Sequence, residues 1–209
     1  MRKRRRSAPF DVTYVPVATD GSLDQTLTIT NNTETSVLPT LRFRPFNMYG
    51  MELPHVTTVG VNGSHLGRAL LPAGGSLVDV LRFDGQGADQ VRHVQVELAE
   101  VEEIDHPSPV LPCRSVMIDL EQKATADSDQ FWGVGLVNPN PFGVTMRVSL
   151  VRLEDEPSHR DDPRQVESVV TLTDDVDLAS ESNDVIWLPE DVRGLFHEVV
   201  HHLVPPTYV

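Results

Sequence analysis

Residues 131–150 read FWGVGLVNPNPFGVTMRVSL, and this stretch decides the fold class. In its first half, apolar residues occupy every second position up to Asn138. A second alternation of apolar and polar residues starts at Val144 and runs to Leu150. The asparagines and prolines between the halves favour a chain reversal, because proline fixes φ and asparagine tolerates turn geometry. The stretch therefore predicts two antiparallel strands joined by a turn, each with one buried face.

The same pattern occurs earlier in the chain, displaced by 107 residues without a gap. Each copy has two alternating apolar residues, an asparagine, a polar turn, and then apolar residues at spacing two. The offset aligns Leu27 with Val134, Ile29 with Leu136, Asn31 with Asn138, Val37 with Val144, Leu41 with Val148 and Phe43 with Leu150. Two interpretations stay open. Any two amphipathic hairpins align this well, or the chain contains two tandem β-sandwich repeats.

Short alternating runs separated by turn residues continue along most of the chain, and no helical period occurs before residue 189. This pattern predicts an all-β fold, a β-sandwich of immunoglobulin-like or jelly-roll-like type, either single or as two tandem sandwiches. The linker candidate is the HPSP stretch at 106–109. The predicted parts are a basic N-terminal arm at 1–9, a first sandwich at 10–105, a second sandwich at 110–188, and a C-terminal helix and tail at 189–209.

The residues after 189 change to a helical period. Pro189, Glu190 and Asp191 are typical of the first turn of a helix. An apolar stripe at helical spacing follows, formed by Val192, Leu195, Phe196, Val199, Val200 and Leu203. We therefore expect one short helix over 189–204 that lies across a sandwich or against a neighbouring subunit.

Residues 197–201 read HEVVH and match a zinc-protease motif on that expected helix. In such a motif two histidines one turn apart hold zinc, and the glutamate activates a water molecule. We expect no metal site, because the apolar stripe places His197 and His201 on the solvent side and the preceding chain is β-rich. Glu198 is then expected to face solvent.

No other residues have the spacing of a catalytic triad, a phosphate loop or a cofactor site. Cys113 is expected to be a packed thiol, and a single cysteine excludes an intramolecular disulfide framework. We therefore expect a protein that is not an enzyme and has no cofactor and no small-molecule substrate.

The charge of the chain is unevenly distributed. The net charge is −14, yet five consecutive residues near the N-terminus are basic. Without them the chain has 12 basic and 31 acidic residues, a net charge of −19. This arm is either a solvated tail or a non-specific contact to nucleic acid or an anionic membrane surface. The candidate polyanion-binding residues are Arg2, Lys3, Arg4, Arg5 and Arg6.

Neither a membrane span nor a secretion signal is expected. No apolar run reaches the length of about 20 residues that a transmembrane helix needs. The basic N-terminal residues are not followed by the apolar segment of a signal peptide. We therefore expect a protein made in the cytoplasm and, if it is a viral protein, located in the virion.

The repeated hairpin pattern resembles bacterial immunoglobulin-like repeats. In the first copy, residues 71–76 (LPAGGS), the apolar strand after them and residues 91–98 are similar to the FxLYD-type domain. The resemblance implies a binding or scaffold module without catalytic residues. A basic arm ahead of a sandwich is also similar in layout to viral capsid proteins.

The expected function is a non-enzymatic structural subunit of a large assembly, with a virion protein as the best candidate. In a virion the basic arm would face the genome or a membrane. The alternative is an immunoglobulin-like binding or scaffold module of the cell or its envelope. In either case the expected partners are other protein subunits, in a homo- or hetero-oligomer.

Overall fold

The computed structural model describes residues 8–17, 24–104, 110–154, 163–196 and 198–204, without the side chains of residues 173 and 174. The described chain forms twelve strands, and its helical segments are 3-10 turns of three residues each. The predicted all-β fold class is confirmed. The strands are β1 (Phe10–Val15), β2 (Thr26–Asn31), β3 (Ser36–Phe46), β4 (Val56–Gly60), β5 (Ser76–Gly85), β6 (His93–Ile104), β7 (Arg114–Ile118), β8 (Gly133–Asn138), β9 (Val144–Leu153), β10 (Val166–Leu178), β11 (Ser182–Trp187) and β12 (Glu198–Val204). The 3-10 turns are Ser64–Leu66, Ala88–Gln90, Ser128–Gln130 and Glu190–Val192.

The first six strands form two antiparallel sheets that pack face to face. One sheet has the order β1-β2-β5-β4, and the other is the pair β3-β6. Strand alternation points every second side chain inward, so both sheets contribute to one apolar core. Leu27 and Ile29 of β2, Leu81 of β5 and Leu41 of β3 are among its buried residues.

The last six strands repeat this arrangement with one change. Their sheets have the orders β11-β8-β7 and β10-β9-β12, again antiparallel, around a core that includes Leu136, Met146 and Leu150. The change concerns the fourth strand of each set. In the first set β4 pairs with β5, whereas in the second set β10 pairs with β9, the third strand of that set. The order of the first set matches strands A-B-E-D and C-F of immunoglobulin-type sandwiches.

The hairpins aligned by the 107-residue offset are β2–β3 and β8–β9, and their asparagines lie at the same point of the turn. Asn31 and Asn138 are 0% and 1% exposed. Each Nδ2 donates to the carbonyl four residues later, at 2.8 Å to Thr35 and 2.9 Å to Phe142. Each Oδ1 accepts the backbone N–H two residues later at 2.9 Å. The repeated asparagines therefore make equivalent turns.

The two sets of strands share a third apolar cluster. Val80 on the outer face of β5 packs with Val151 of β9 and Val200 of β12. The backbone N–H of Leu70 also donates to the carbonyl of Leu203 at 3.0 Å. Independent folding of the predicted domains stays a prediction, and the predicted linker lies outside the described residues.

The predicted C-terminal helix over 189–204 is wrong. A 3-10 turn at Glu190–Val192 is followed by β12, which pairs antiparallel with β9. Val199 faces the core of the second set, and its neighbour Val200 faces the cluster shared by the two sets. A strand covered on both faces has apolar residues on both faces. Consecutive apolar residues of this kind imitate the stripe of an amphipathic helix.

Candidate functional site

The predicted polyanion-binding arm lies outside the described residues. This holds for Arg2, Lys3, Arg4, Arg5 and Arg6, and also for His197 of the HEVVH motif. Contact with nucleic acid or an anionic membrane through the arm therefore stays a prediction.

Residues 198–201 of the HEVVH motif lie on β12, and a strand does not provide the geometry that a zinc site of this motif needs. Residues three positions apart on a strand point to opposite faces, so Glu198 and His201 do not face one ion. The described part of the chain contains no group of three or more His, Cys, Asp or Glu residues that could hold a metal ion. The expectation that Glu198 faces solvent is wrong, because the side chain is partly buried and burial raises the pKa of its carboxyl group.

His201 connects β12 to β7 at a cavity of about 430 Å³ between the two sets of strands. Its Nδ1 lies 2.6 Å from Oγ of Ser115, and its Nε2 lies 3.2 Å from the carbonyl oxygen of Cys113. A carbonyl oxygen only accepts, so Nε2 carries the proton and Nδ1 accepts from the serine hydroxyl.

This serine–histidine pair lacks the third member of a catalytic triad. Burial lowers the pKa of His201, which favours the neutral ring. In a triad a carboxylate stabilises the imidazolium that forms when the serine loses its proton. Here the uncharged carbonyl of Cys113 takes that place. We therefore interpret the pair as a structural link between β7 and β12.

Asp79 is buried in β5 and holds the turn after β4. Its Oδ1 accepts the backbone N–H of Asn62 at 2.7 Å, and its Oδ2 accepts from the hydroxyl of Ser64. A Cβ atom added at Gly60 would lie 2.1 Å from Oδ2 of Asp79, so only glycine fits there. Burial raises the pKa of Asp79. Asn62 and Gly63 therefore lie in a turn that is held by the carboxyl group of a residue distant in sequence.

An exposed turn between β3 and β4 presents three large apolar side chains. We name residues 47–51 (NMYGM) the apolar loop. Met48, Tyr49 and Met51 are 72%, 77% and 59% exposed. Oδ1 of Asn47 accepts the backbone N–H groups of Tyr49 at 2.9 Å and Met51 at 3.0 Å. The apolar side chains therefore project from a turn that its own asparagine holds in shape.

The base of the apolar loop is also held in place. Arg44 donates to Glu52 through two nitrogens, with Nε at 3.1 Å from Oε1. Phe46 and Glu52 form an isolated antiparallel β-bridge across the base. The guanidinium of Arg44 lies 5.7 Å from the ring centroid of Phe46. A turn that is ordered before binding reduces the entropic cost of binding a partner.

The apolar loop was not predicted, although the sequence contains a signal for it. Residues 47–51 lie between Pro45 and Pro54, where the alternation of β3 has stopped and Gly50 permits a turn. Large apolar residues in a turn have no core position to occupy. Clustered in this way, they indicate a contact surface.

Comparisons with protein-family models, curated proteins and solved structures found no match to this chain. In the part of the chain that the structure describes, no helix is long and apolar enough to span a membrane.

Proposed function

We propose that this protein is a non-enzymatic structural subunit of a larger protein assembly, and that the apolar loop contacts a neighbouring copy of the chain. The observation that carries the proposal is the exposure of Met48, Tyr49 and Met51 on one braced turn. Methionine and tyrosine are enriched at protein interfaces. Full burial of one large apolar side chain contributes about 1.5–3 kcal/mol, so a contact that covers all three stabilises an assembly appreciably.

The same chain also has an apolar cavity. A cavity of about 180 Å³ at the ends of β9, β10 and β12 is lined mostly by apolar residues, among them Leu70, Val110, Phe142, Leu178 and Leu203. A loop that enters this cavity on the next copy makes a head-to-tail contact. Such contacts repeat from copy to copy and build rings or filaments. This supports self-assembly as the role of the apolar loop.

A virion subunit is the narrower form of the proposal. In that case the basic arm would face the genome or a membrane, and the protein would occur at a fixed copy number in a particle. The alternative is an immunoglobulin-like binding or scaffold module, in which the apolar loop contacts a different protein. Such a module is expected to be monomeric when purified alone.

The test replaces the apolar side chains of the loop by Met48→Ser, Tyr49→Ser and Met51→Ser together. Leu120→Ser is the matched control, because Leu120 is 60% exposed in a different turn. Sedimentation velocity at rising concentration should show self-association of the wild type and the control. The triple variant should associate at least about 10-fold more weakly, which corresponds to 1.4 kcal/mol. A wild type that stays monomeric, or a triple variant that associates equally, would contradict the proposal.

A further inference from the structure

A cavity of about 400 Å³ lies between the turn held by Asp79 and the sheet β10-β9-β12. Three arginines line it, Arg68, Arg82 and Arg147, and none of its described lining residues is an aspartate or glutamate. The chain has 31 acidic and 17 basic residues, so composition alone does not lead one to expect an arginine-lined wall. We name this space the arginine cavity.

Two of the three arginines at the arginine cavity have no ion-pair partner among the residues that the structure describes. Arg68 and Arg82 are exposed, and neither makes an ion pair with a carboxylate in the described part of the chain. Arg147 is compensated by Asp175, with its NH2 nitrogen 2.9 Å from Oδ1. A phosphate monoester carries a charge of about −1.5 to −2 at pH 7, which matches the charge of the two guanidinium groups of Arg68 and Arg82. Arginine also binds phosphate through paired hydrogen bonds.

Neutral polar groups complete the wall. His65, Ser149, Thr171 and His202 line the cavity beside the arginines. Nδ1 of His65 accepts the backbone N–H of Gly60 at 3.1 Å, so its Nε2 carries the proton and is a donor. These groups can bind the oxygens of an anion or of hydroxyl groups attached to it.

Two buried polar atoms at this wall have no hydrogen-bond partner, Oδ1 of Asn62 and Nδ1 of His202. Their residues are 1% and 4% exposed and both line the cavity. Buried polar atoms are nearly always paired, so two unpaired atoms at one cavity are unusual. A ligand with hydroxyl groups supplies both the donors and the acceptors that such polar atoms require.

The wall is rigid where the ligand would lie. Nδ2 of Asn62 donates to the carbonyl of Val78 at 2.8 Å and to the carbonyl of His201 at 3.2 Å. These bonds fix the turn after β4 to β12, and Asp79 fixes the same turn to β5. The cavity is thus organised before a ligand binds, which reduces the entropic cost of binding.

We propose that the arginine cavity binds a small hydroxylated phosphate monoester, with its phosphate held by Arg68 and Arg82. The volume of the cavity lies within the range of small-molecule sites and leaves room for an organic group beside the phosphate. This binding is separate from association through the apolar loop, since the two surfaces share no residue.

Isothermal titration calorimetry of the full-length protein tests the proposal with three probes at constant ionic strength: glycerol 3-phosphate, inorganic phosphate and glycerol. We expect glycerol 3-phosphate to bind most tightly, inorganic phosphate more weakly, and glycerol not at all. Replacing both arginines, Arg68→Gln and Arg82→Gln, should weaken binding of glycerol 3-phosphate at least about 10-fold. The matched control is Arg42→Gln with Arg114→Gln, because both of these arginines are exposed elsewhere.

The denaturation midpoints of the two double variants should be alike, so that a loss of binding is not a loss of folding. Backbone amide shifts caused by glycerol 3-phosphate should be confined to residues 59–68 and the facing positions of β5, β9, β10 and β12. The proposal is overturned if no phosphate compound binds, or if both double variants bind equally well. Equal affinity for glycerol 3-phosphate and inorganic phosphate would overturn the part of the proposal that assigns a role to the hydroxyl groups of the ligand.

Discussion

At the scale of single residues, Asn31 and Asn138 show how one side chain fixes a turn. The sequence predicts both as turn residues, because asparagine tolerates turn geometry. The structure places both in the interior, where each amide donates to carbonyls and accepts a backbone N–H. That role depends on distant backbone, since Asn31 also donates to Pro72 and Asn138 to Ala179. Spacing in the sequence does not reveal such partners.

Replacing these asparagines should destabilise the protein. Asn31→Ala and Asn138→Ala each remove the amide that bridges the turn and leave a backbone N–H, that of Thr33 or Asn140, without its side-chain acceptor. Such a loss costs about 1–3 kcal/mol per variant. Asn183→Ala is the control, because its side chain is exposed and its replacement should change stability by less than about 0.5 kcal/mol. Urea denaturation measures the free energy of unfolding. Equal stability of Asn31→Ala and Asn183→Ala would show that the buried amide has no structural role.

His202 should make the protein sensitive to acid. Burial, together with the positive charge of Arg147, lowers the pKa of His202 from 6.5 to about 4. Between these values the unfolded state binds more protons than the folded state, so stability falls as pH falls through this window. The full contribution of His202 to the free energy of unfolding is about 3 kcal/mol, because each unit between the two pKa values is worth about 1.36 kcal/mol.

The measurement is the free energy of unfolding at pH 7 and at pH 4, compared between variants. The free energy of unfolding should fall less between pH 7 and pH 4 in His202→Gln than in the wild type. The difference should be up to about 3 kcal/mol. His55→Gln changes an exposed histidine and should lose as much as the wild type. The same loss in all three proteins would contradict the assignment of this acid sensitivity to His202.

At the scale of elements, alternation predicted strands well and failed at β12, which is buried on both faces. Its double burial produced the wrong prediction of a helix. The second covered face of β12 comes from tertiary contacts that the sequence does not display. In β5, Asp79 lies on the same face as Leu77 and Leu81, where it accepts a hydrogen bond from a buried turn.

Two leucines distinguish β12 from the helix that the sequence predicted. A helix over 189–204 places Leu195 and Leu203 on one buried stripe. In that case, replacing either leucine should lower the free energy of unfolding by the same amount. In the structure Leu203 is 5% exposed and Leu195 is 43% exposed. Leu203→Ala should therefore cost about 2–5 kcal/mol, whereas Leu195→Ala should cost less than about 0.5 kcal/mol. Denaturation midpoints that fall equally in both variants would favour the helix.

At the scale of the whole molecule, composition and periodicity predict an all-β acidic protein but neither candidate surface. The arginine cavity requires Arg68, Arg82 and Arg147, which come from a turn and two strands far apart in the chain. Only the packing of the first set of strands against the second brings Arg147 beside Arg68 and Arg82. The apolar loop is contiguous, and it was missed because turns are ordinarily polar.

The central claim, assembly through the apolar loop, is tested most directly by the native mass of the full-length protein. Mass spectrometry under native conditions at rising concentration should show multiples of the 23.2 kDa chain. Deleting the basic residues Arg2 to Arg6 should leave these multiples in place, because the loop is distant from them in sequence. A single 23.2 kDa species at every concentration would contradict the account.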